Sequence, residues 1–290
     1  MNHIDSTGSA AGVNIMPQDG MREVEPLSGI RAFGLAAGTL WQRELVRFFR
    51  QPSRVIGAFA SPLVFWLLIG SGLGRSFQPQ NSAGAAGGDY LQYFFAGTLL
   101  LILLFTAIFS TISLIQDRRE GFLQGVMVAP IPRGAIVMGK VLGGTTLAML
   151  QGLLFLLLAP LAGISVGPST GFLVAGASFL VAFGLTALGF VLAWPMESIQ
   201  GFHAVMNLVL MPMWLLSGAL FPASGASGWV RALMLVNPLT YGHSLIRRAL
   251  APDIVVSPGL GVSLGITVGF AIATFAGAWI MASRKRRMPL

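Results

Sequence analysis

A chain of 290 residues that is 54% hydrophobic and only 10% charged excludes a soluble domain, in which about a quarter of residues carry charge. Its net charge of +8 would suggest nucleic acid for a soluble protein, but the basic residues sit at the ends of apolar runs, which points to anionic headgroups and membrane topology instead. With no cysteine, disulfides, thiolate metal sites and thiol nucleophiles are excluded, and the redox compartment stays unread.

Residues 1–28 are polar, rich in Gly and Ser, and lack the apolar core of a signal peptide; they read as a disordered cytoplasmic lead. From Gly29 to Arg54 the pattern is that of an amphipathic helix lying in the membrane interface and stopping near Pro52. Arg43, Arg47 and Arg50 share one face, while Trp41, Leu45, Phe48 and Phe49 fall opposite. Rings in the acyl boundary and guanidinium groups toward lipid phosphates make Trp41, Arg43, Arg47 and Arg50 candidate membrane-surface residues.

A hydrocarbon core of about 30 Å needs about 20 helical residues. Six runs meet that length: Val55–Leu73, Leu91–Ile115, Val141–Ile164, Gly171–Trp194, Ile199–Phe221 and Leu260–Ala282. The connector Gly74–Tyr90 is rich in Gly, Ala and Ser, and Ser165–Thr170 is minimal, so the third and fourth runs form a tight hairpin. Trp229–Leu250 is apolar enough to pass for a span, but Asn237-Pro238 interrupts it with a good N-cap and first-turn residue. It reads as two short helices, with Trp229 and Tyr241 at headgroup level, inside a re-entrant region 222–258.

Between the second and third spans lies Asp117–Lys140, the longest charge-bearing stretch between apolar runs. A short helix from Glu120 to Ala129 is expected, ended by Pro130-Ile131-Pro132. At about 100° per residue, Phe122, Leu123, Val126 and Met127 share one face, and Gly121, Gln124 and Gly125 lie on the other, open to a close approach. Docking onto a partner and resting on headgroups both fit this pattern. Fourteen of the 18 basic residues lie before the first span, in the 116–140 joint or in the tail 283–290. The other four are Arg75, Arg231, Arg247 and Arg248. The positive-inside rule therefore places both termini and the joint in the cytoplasm.

Catalytic motifs are scarce. There is no HExxH and no complete GxxxxGK[ST] phosphate loop, since Val141 follows Gly139-Lys140. Met206, Met211 and Met213 do not share a helix face and read as core. One polar constellation stands out: Glu197, Gln200, His203 and Asn207 share a face of the fifth span. Polar groups at membrane depth usually face a bundle interior or cavity. They make a candidate substrate path, or else hydrogen-bond neighbouring helices.

Three stretches resemble the ABC-2-type ABC transporter permeases, which include antibiotic-resistance and nodulation-factor exporters. They are Asp117–Leu123 running on through Val128–Arg133 to Gly139-Lys140, Leu215–Pro222, and Asn237–Tyr241. The resemblance runs from about Ile30 to Ala282. It implies an all-α polytopic membrane protein with an N-terminal connecting helix, six spans, a cytoplasmic coupling helix and short extracytoplasmic helices before the last span. It further implies a bacterial inner-membrane subunit that pairs with a second copy or a related permease and contacts lipids, not nucleic acid. A separate cytoplasmic ATPase would hold ATP and Mg, with no cofactor bound by this chain, and drive export of an amphipathic, lipid-like, drug-like or glycan substrate. Coupling to that ATPase would fall to Asp117, Glu120, Gly121, Phe122, Gly125, Pro130, Pro132 and Arg133. A secondary carrier and a non-transporting assembly subunit are the readings from other classes, and an ATPase that co-purifies would separate them from the first.

Overall fold

The computed structural model describes residues 29–73, 90–252 and 256–284. The expected disordered lead, the Gly74–Tyr90 connector up to Asp89, and the tail beyond Arg284 lie outside the described residues. Every regular element within them is helical: α1 (Gly29–Phe49), α2 (Pro52–Leu73), α3 (Tyr90–Ser110), α4 (Ile112–Arg119), α5 (Phe122–Val128), α6 (Arg133–Leu156), α7 (Pro168–Ala193), α8 (Ile199–Trp214), α9 (Gly228–Val236), α10 (Pro238–Leu250) and α11 (Leu260–Ser283). Five helices are long and apolar enough to cross a membrane: α3 with α4, α6, α7, α8 with the segment that extends it, and α11. The first of the six expected spans falls on α2, whose apolar stretch, Ala60–Gly72, is shorter than the other five.

The bundle is built around α3. Its most apolar stretch is 89% buried, whereas those of α8 and α11 are 22% and 17% buried, so α3 is the central span and the other two are peripheral. Phe94, Phe95, Leu99, Ile102, Leu103 and Ile108 carry the core outward to α2, α6 and α7. Phe95 and Phe155 stack at 4.5 Å, with Trp66 edge-on to both rings, a geometry worth about 0.5–1.5 kcal/mol per pair beyond burial. The second expected span is thus one 30-residue rod, Tyr90–Arg119, with a single irregularity at Thr111.

α6 begins eight residues earlier than the expected span, at Arg133 rather than Val141. Pro132 ends the preceding extended segment with φ −63° and ψ 127°, and nothing from Gly134 to Lys140 breaks a helix. Lys140 does not mark the water boundary; it is a buried, paired cation inside the helix.

The outer end of α8 departs further from expectation. Instead of running straight to Phe221, the helix passes Pro212 and loosens into a π-helical segment, Leu215–Ala219, with Gly218 at φ 84°. That dihedral suits glycine alone among common residues. A proline and a π-turn both free backbone carbonyls, which must find other donors when buried. They do. Asn237 Nδ2 donates to Met213 O at 2.6 Å, Thr240 Oγ1 lies 3.3 Å from Leu216 O, and the hydroxyls of Tyr93 and Tyr90 reach Gly218 O and Leu220 O at 2.7 and 2.9 Å. Asn237 caps α10 by accepting from Leu239 N at 3.1 Å, so one side chain starts a helix and holds a kink. Tyr241 is buried against the protein, and its hydroxyl donates to Leu235 O at 2.7 Å. Trp229 is exposed.

Two expectations follow. At Gly97 an added Cβ would lie 2.5 Å from Ala219 O and 2.8 Å from Ala219 Cβ, so Gly97→Val should destabilise the purified protein by about 1–3 kcal/mol in detergent unfolding. Gly125→Ala, where a Cβ meets nothing, should change little. The second concerns His243, which is fully buried on α10 with no partner for Nε2. Burial, aided by the neighbouring Arg247 charge, pushes its pKa down to about 3, well below the ~6.5 of an exposed imidazole. Between those values the unfolded chain binds the extra proton, so stability is complete above about pH 6.5 and falls as pH drops toward 3. In pH-resolved unfolding, His243→Leu should flatten that slope.

Candidate functional site

Where the central rod ends, the chain turns at Gly121, whose φ of 75° lies in the left-handed region. Its N–H donates back to Arg118 O at 3.2 Å, closing α4 and letting α5 leave at once. α5 is seven residues long and lies on the bundle with Leu123 buried and Phe122, Val126 and Met127 partly so. Gln124, Gly125 and Val128 point outward; Val128 is 84% exposed. Pro130 and Pro132 are exposed on the strap that leads to α6, and Arg133 is half-buried, its Nη1 donating to Ser283 O at 3.2 Å.

Beneath this ridge lies a cluster of six charges. Asp117, on α4, is completely buried. Arg43 grips it bidentately at 2.8 and 3.0 Å, Arg47 reaches the same carboxylate at 2.6 Å, and Lys140 Nζ closes on it from α6. Lys140 also bonds Glu44 at 2.5 Å and Ser113 Oγ at 3.2 Å, and Arg47 continues to Glu120 at 3.1 Å. Three cations thus balance three carboxylates, as buried charge requires. Burial alone would lower the Arg43 pKa; the hydrogen bonds and charge of Asp117 outweigh it and raise it. The Arg43 guanidinium also lies 3.6 Å from the Phe122 ring centre, linking α1 to α5 through a cation–π contact.

Opposite this cluster, α4 is tied to the α7–α8 connector. Arg118 donates to Trp194 O and Met196 O at 2.5 and 2.8 Å, and Arg119 Nε donates to Glu197 O at 2.9 Å.

The predicted site residues therefore separate. Glu120 (58% exposed), Gly121, Phe122, Gly125, Pro130, Pro132 and Arg133 gather along one ridge and strap. Asp117 does not belong with them at the surface: it is buried and held within the chain, so it supports the ridge from below. Arg43 and Arg47, expected to meet lipid phosphates, are paired with carboxylates of this chain and stay partly exposed. Trp41 Nε1 donates to Thr146 at 3.0 Å, and Arg50 is exposed. Glu44 was not singled out by the sequence, although a lone acid on a basic amphipathic helix was the available signal; Lys140 was read only as the end of the joint. Gly139-Lys140 lies within helix α6, not in a loop.

Glu197, Gln200, His203 and Asn207 are all exposed, while Phe202, Met206, Leu210 and Trp214 form the adjoining buried face of α8. Glu197 and Gln200 face outward, while His203 sits at the margin of the packed face. His203 also borders a cavity of about 480 Å³ between α2, α3 and α8, lined by Ser61, Phe65, Phe105, Phe109 and Ser110 among others, with the His203 ring 5.4 Å from that of Phe109. No group of three or more His, Cys, Asp or Glu among the described residues could hold a metal.

The family model described as ABC-2 type transporter matches residues 36–250, from the middle of α1 to the end of α10. The chain belongs to this family. It is 28% identical over 211 residues to the transport permease ycf38 of Cyanophora paradoxa, covering 72% of this chain and 71% of that one. It is 26% identical over 241 residues to nodulation protein J of Sinorhizobium fredii, covering 82% and 87%, and 28% identical over 140 residues to the inner membrane transport permease YhhJ of Escherichia coli, covering 48% and 37%. The chain is a membrane-embedded permease of an ABC transporter, and its family implies association with an ABC ATPase subunit.

The cluster makes a differential prediction. Asp117→Asn removes the charge that three buried or half-buried cations share, and should cost about 3–5 kcal/mol of unfolding stability in detergent. Glu120→Gln, at the exposed rim, should cost no more than about 1 kcal/mol.

Proposed function

We propose that this chain is the permease half of an ATP-driven exporter in the bacterial inner membrane. In this reading α2 serves as the first of six spans, both termini are cytoplasmic, and two copies assemble with two ATPase subunits that hold ATP and Mg. The observation that carries it is the α5 ridge, a short helix whose inner face is packed and whose outer face presents Gln124, Gly125 and an almost fully exposed Val128. An exposed valine beside a glycine that leaves open space suits a groove in a cytoplasmic partner better than water.

The α8 stripe and its cavity supply the substrate path. Gln200, His203 and Asn207 would line a vestibule between the two copies, hydrogen-bonding the head of an amphipathic substrate. The phenylalanine-lined cavity would receive its apolar part, because its lining carries no formal charge and a charged group there would cost several kcal/mol or about that.

Gly125→Trp should leave insertion and unfolding near normal but prevent an ATPase from co-purifying; a variant that assembles and stimulates hydrolysis like the parent removes the coupling role of α5. Cysteines at 200, 203 and 207 should react with a water-soluble thiol reagent from the cytoplasmic side, and those at 206 and 210 should not. Uniform protection of the first three would make the stripe a packing seam.

A further inference from the structure

The helices that meet at the ionic cluster are joined in two different ways. α1 and α6 are in steric contact. A Cβ at Gly139 would lie 2.7 Å from Ala37 O and 2.8 Å from Leu40 Cβ, and one at Gly143 would lie 2.8 Å from Glu44 Cβ. Trp41 adds its bond to Thr146 one turn further on. The two glycines form a groove in which α1 lies, and α1 with α6 is the most extensive helix pairing in the molecule. Close-packed interfaces of this kind do not slide continuously.

α4 and α5 are held to that pair by reach, not by close backbone packing. α4 packs on α5, α7, α8 and α3, and neither α4 nor α5 is among the helices that approach α1 or α6 extensively. What spans the gap is long side chains: Arg43 and Arg47 from α1 and Lys140 from α6, all ending on Asp117, with Arg47 continuing to Glu120 and Arg43 to the ring of Phe122. Each of those three cations has, or lies next to, a second carboxylate: Lys140 is bonded to Glu44, Arg47 to Glu120, and Arg43 lies 3.8 Å from Glu44. Glu44 stays with α1, so Lys140 and Arg43 would keep a counter-charge if Asp117 moved with α4. Glu120 caps α4 and moves with Asp117, so Arg47 follows both only as far as its side chain reaches. The usual cost of separating a buried pair is thus reduced for the first two cations.

We infer that the Lys140–Asp117–Arg47 cluster is an ionic slip joint, along which the α4–α5 unit shifts against a welded α1–α6 unit while Lys140 changes its share between Asp117 and Glu44. Lys140 is then a positioning residue that sets the resting register of the α5 ridge. This deepens the coupling reading above and rests on it for its purpose, but its geometry is independent of any partner. Shear of this kind, with discrete side-chain exchanges, is an established way for small displacements to become switches.

The chain contains no cysteine, so spin labels go only where cysteines are placed. The full-length protein in nanodiscs, without ATPase, would carry label pairs at Gln42 with Gln124 (across the joint) and Gln42 with Leu150 (across the weld); all three sites are exposed. Pulsed electron paramagnetic resonance should give one narrow distance for each pair in the parent. Lys140→Met should broaden or shift the 42–124 distance and leave the 42–150 distance unchanged. If both distances change, Lys140 is a fold residue and the slip joint is wrong; if neither changes, the cation does not set the register and it is equally wrong. Should Lys140→Met fail to insert, Arg47→Gln, which is nearer the rim, is read by the same criteria. The coupling reading fails separately: distances that behave as expected in a chain with which no ATPase co-purifies would keep the joint and remove its proposed purpose.

Discussion

A carboxylate with no exposed surface cannot be held ionised by one cation at the edge of a membrane, and Asp117 has three. Desolvating each ion costs several kcal/mol or about that, and only good geometry with the remaining valences filled recovers it. Arg43, Arg47 and Lys140 come from two helices that are remote in sequence, so satisfying Asp117 determines much else. α1 must lie where its arginines reach α4, and Glu44 must come close enough to accept a hydrogen bond from Lys140's ammonium. Gly139 and Gly143 have no side chains because the Glu44 stem and the Ala37–Leu40 turn occupy the space that side chains would fill. The start of α6, the seat of α1 and the foot of α5 are three consequences of one buried charge.

Much of the helical layout was legible because its punctuation is local. Pro52, Pro130-Ile131-Pro132 and Asn237-Pro238 stop or start helices through a missing N–H and a side-chain cap, effects that need no tertiary context. The departures arose where tertiary partners override a local signal. Lys140 looked like a boundary charge because a lone cation in an apolar run normally marks water; Glu44 and Asp117, 96 and 23 residues away, let it sit inside the helix. The π-segment at Leu215–Ala219 had a visible cause in Pro212 and Gly218, but its form depends on donors from Tyr90, Tyr93, Asn237 and Thr240. α2 was expected as a full crossing, and its apolar stretch is shorter.

The site divides along the same line. Periodicity assigned the two faces of α5 because a seven-residue helix on a surface has one inside, and Leu123 marks it. Periodicity also grouped Arg43 with Arg47, and Gln200 with His203 and Asn207. What each face meets is not periodic information: an arginine row pairs equally well with phosphates or with a buried aspartate, and a polar stripe fits equally well a bundle interior or an outward face. Asp117, the first residue of the conspicuous DRREG stretch, was expected at the surface with its neighbours. It lies on the opposite side of α4 from Arg118 and Arg119, which turn to the α7–α8 connector.

The rod from Tyr90 to Arg119 joins these observations, since at 1.5 Å per residue its 30 residues span about 45 Å. Its first turn supplies the tyrosines that satisfy the carbonyls of the α8 kink; its last turn supplies Asp117 to the ionic cluster. Both ends are therefore held by directional bonds, while its middle is held by an apolar core that tolerates little change in volume. The irregularity lies at Thr111, where the hydroxyl donates to Ile108 O at 2.6 Å and Gly189 of α7 gives it room. That break divides the rod into a long core-bound segment and the eight residues of α4. Asp117 and its three cations are therefore met by the short segment, and the aromatic core around Phe94 and Phe95 by the long one.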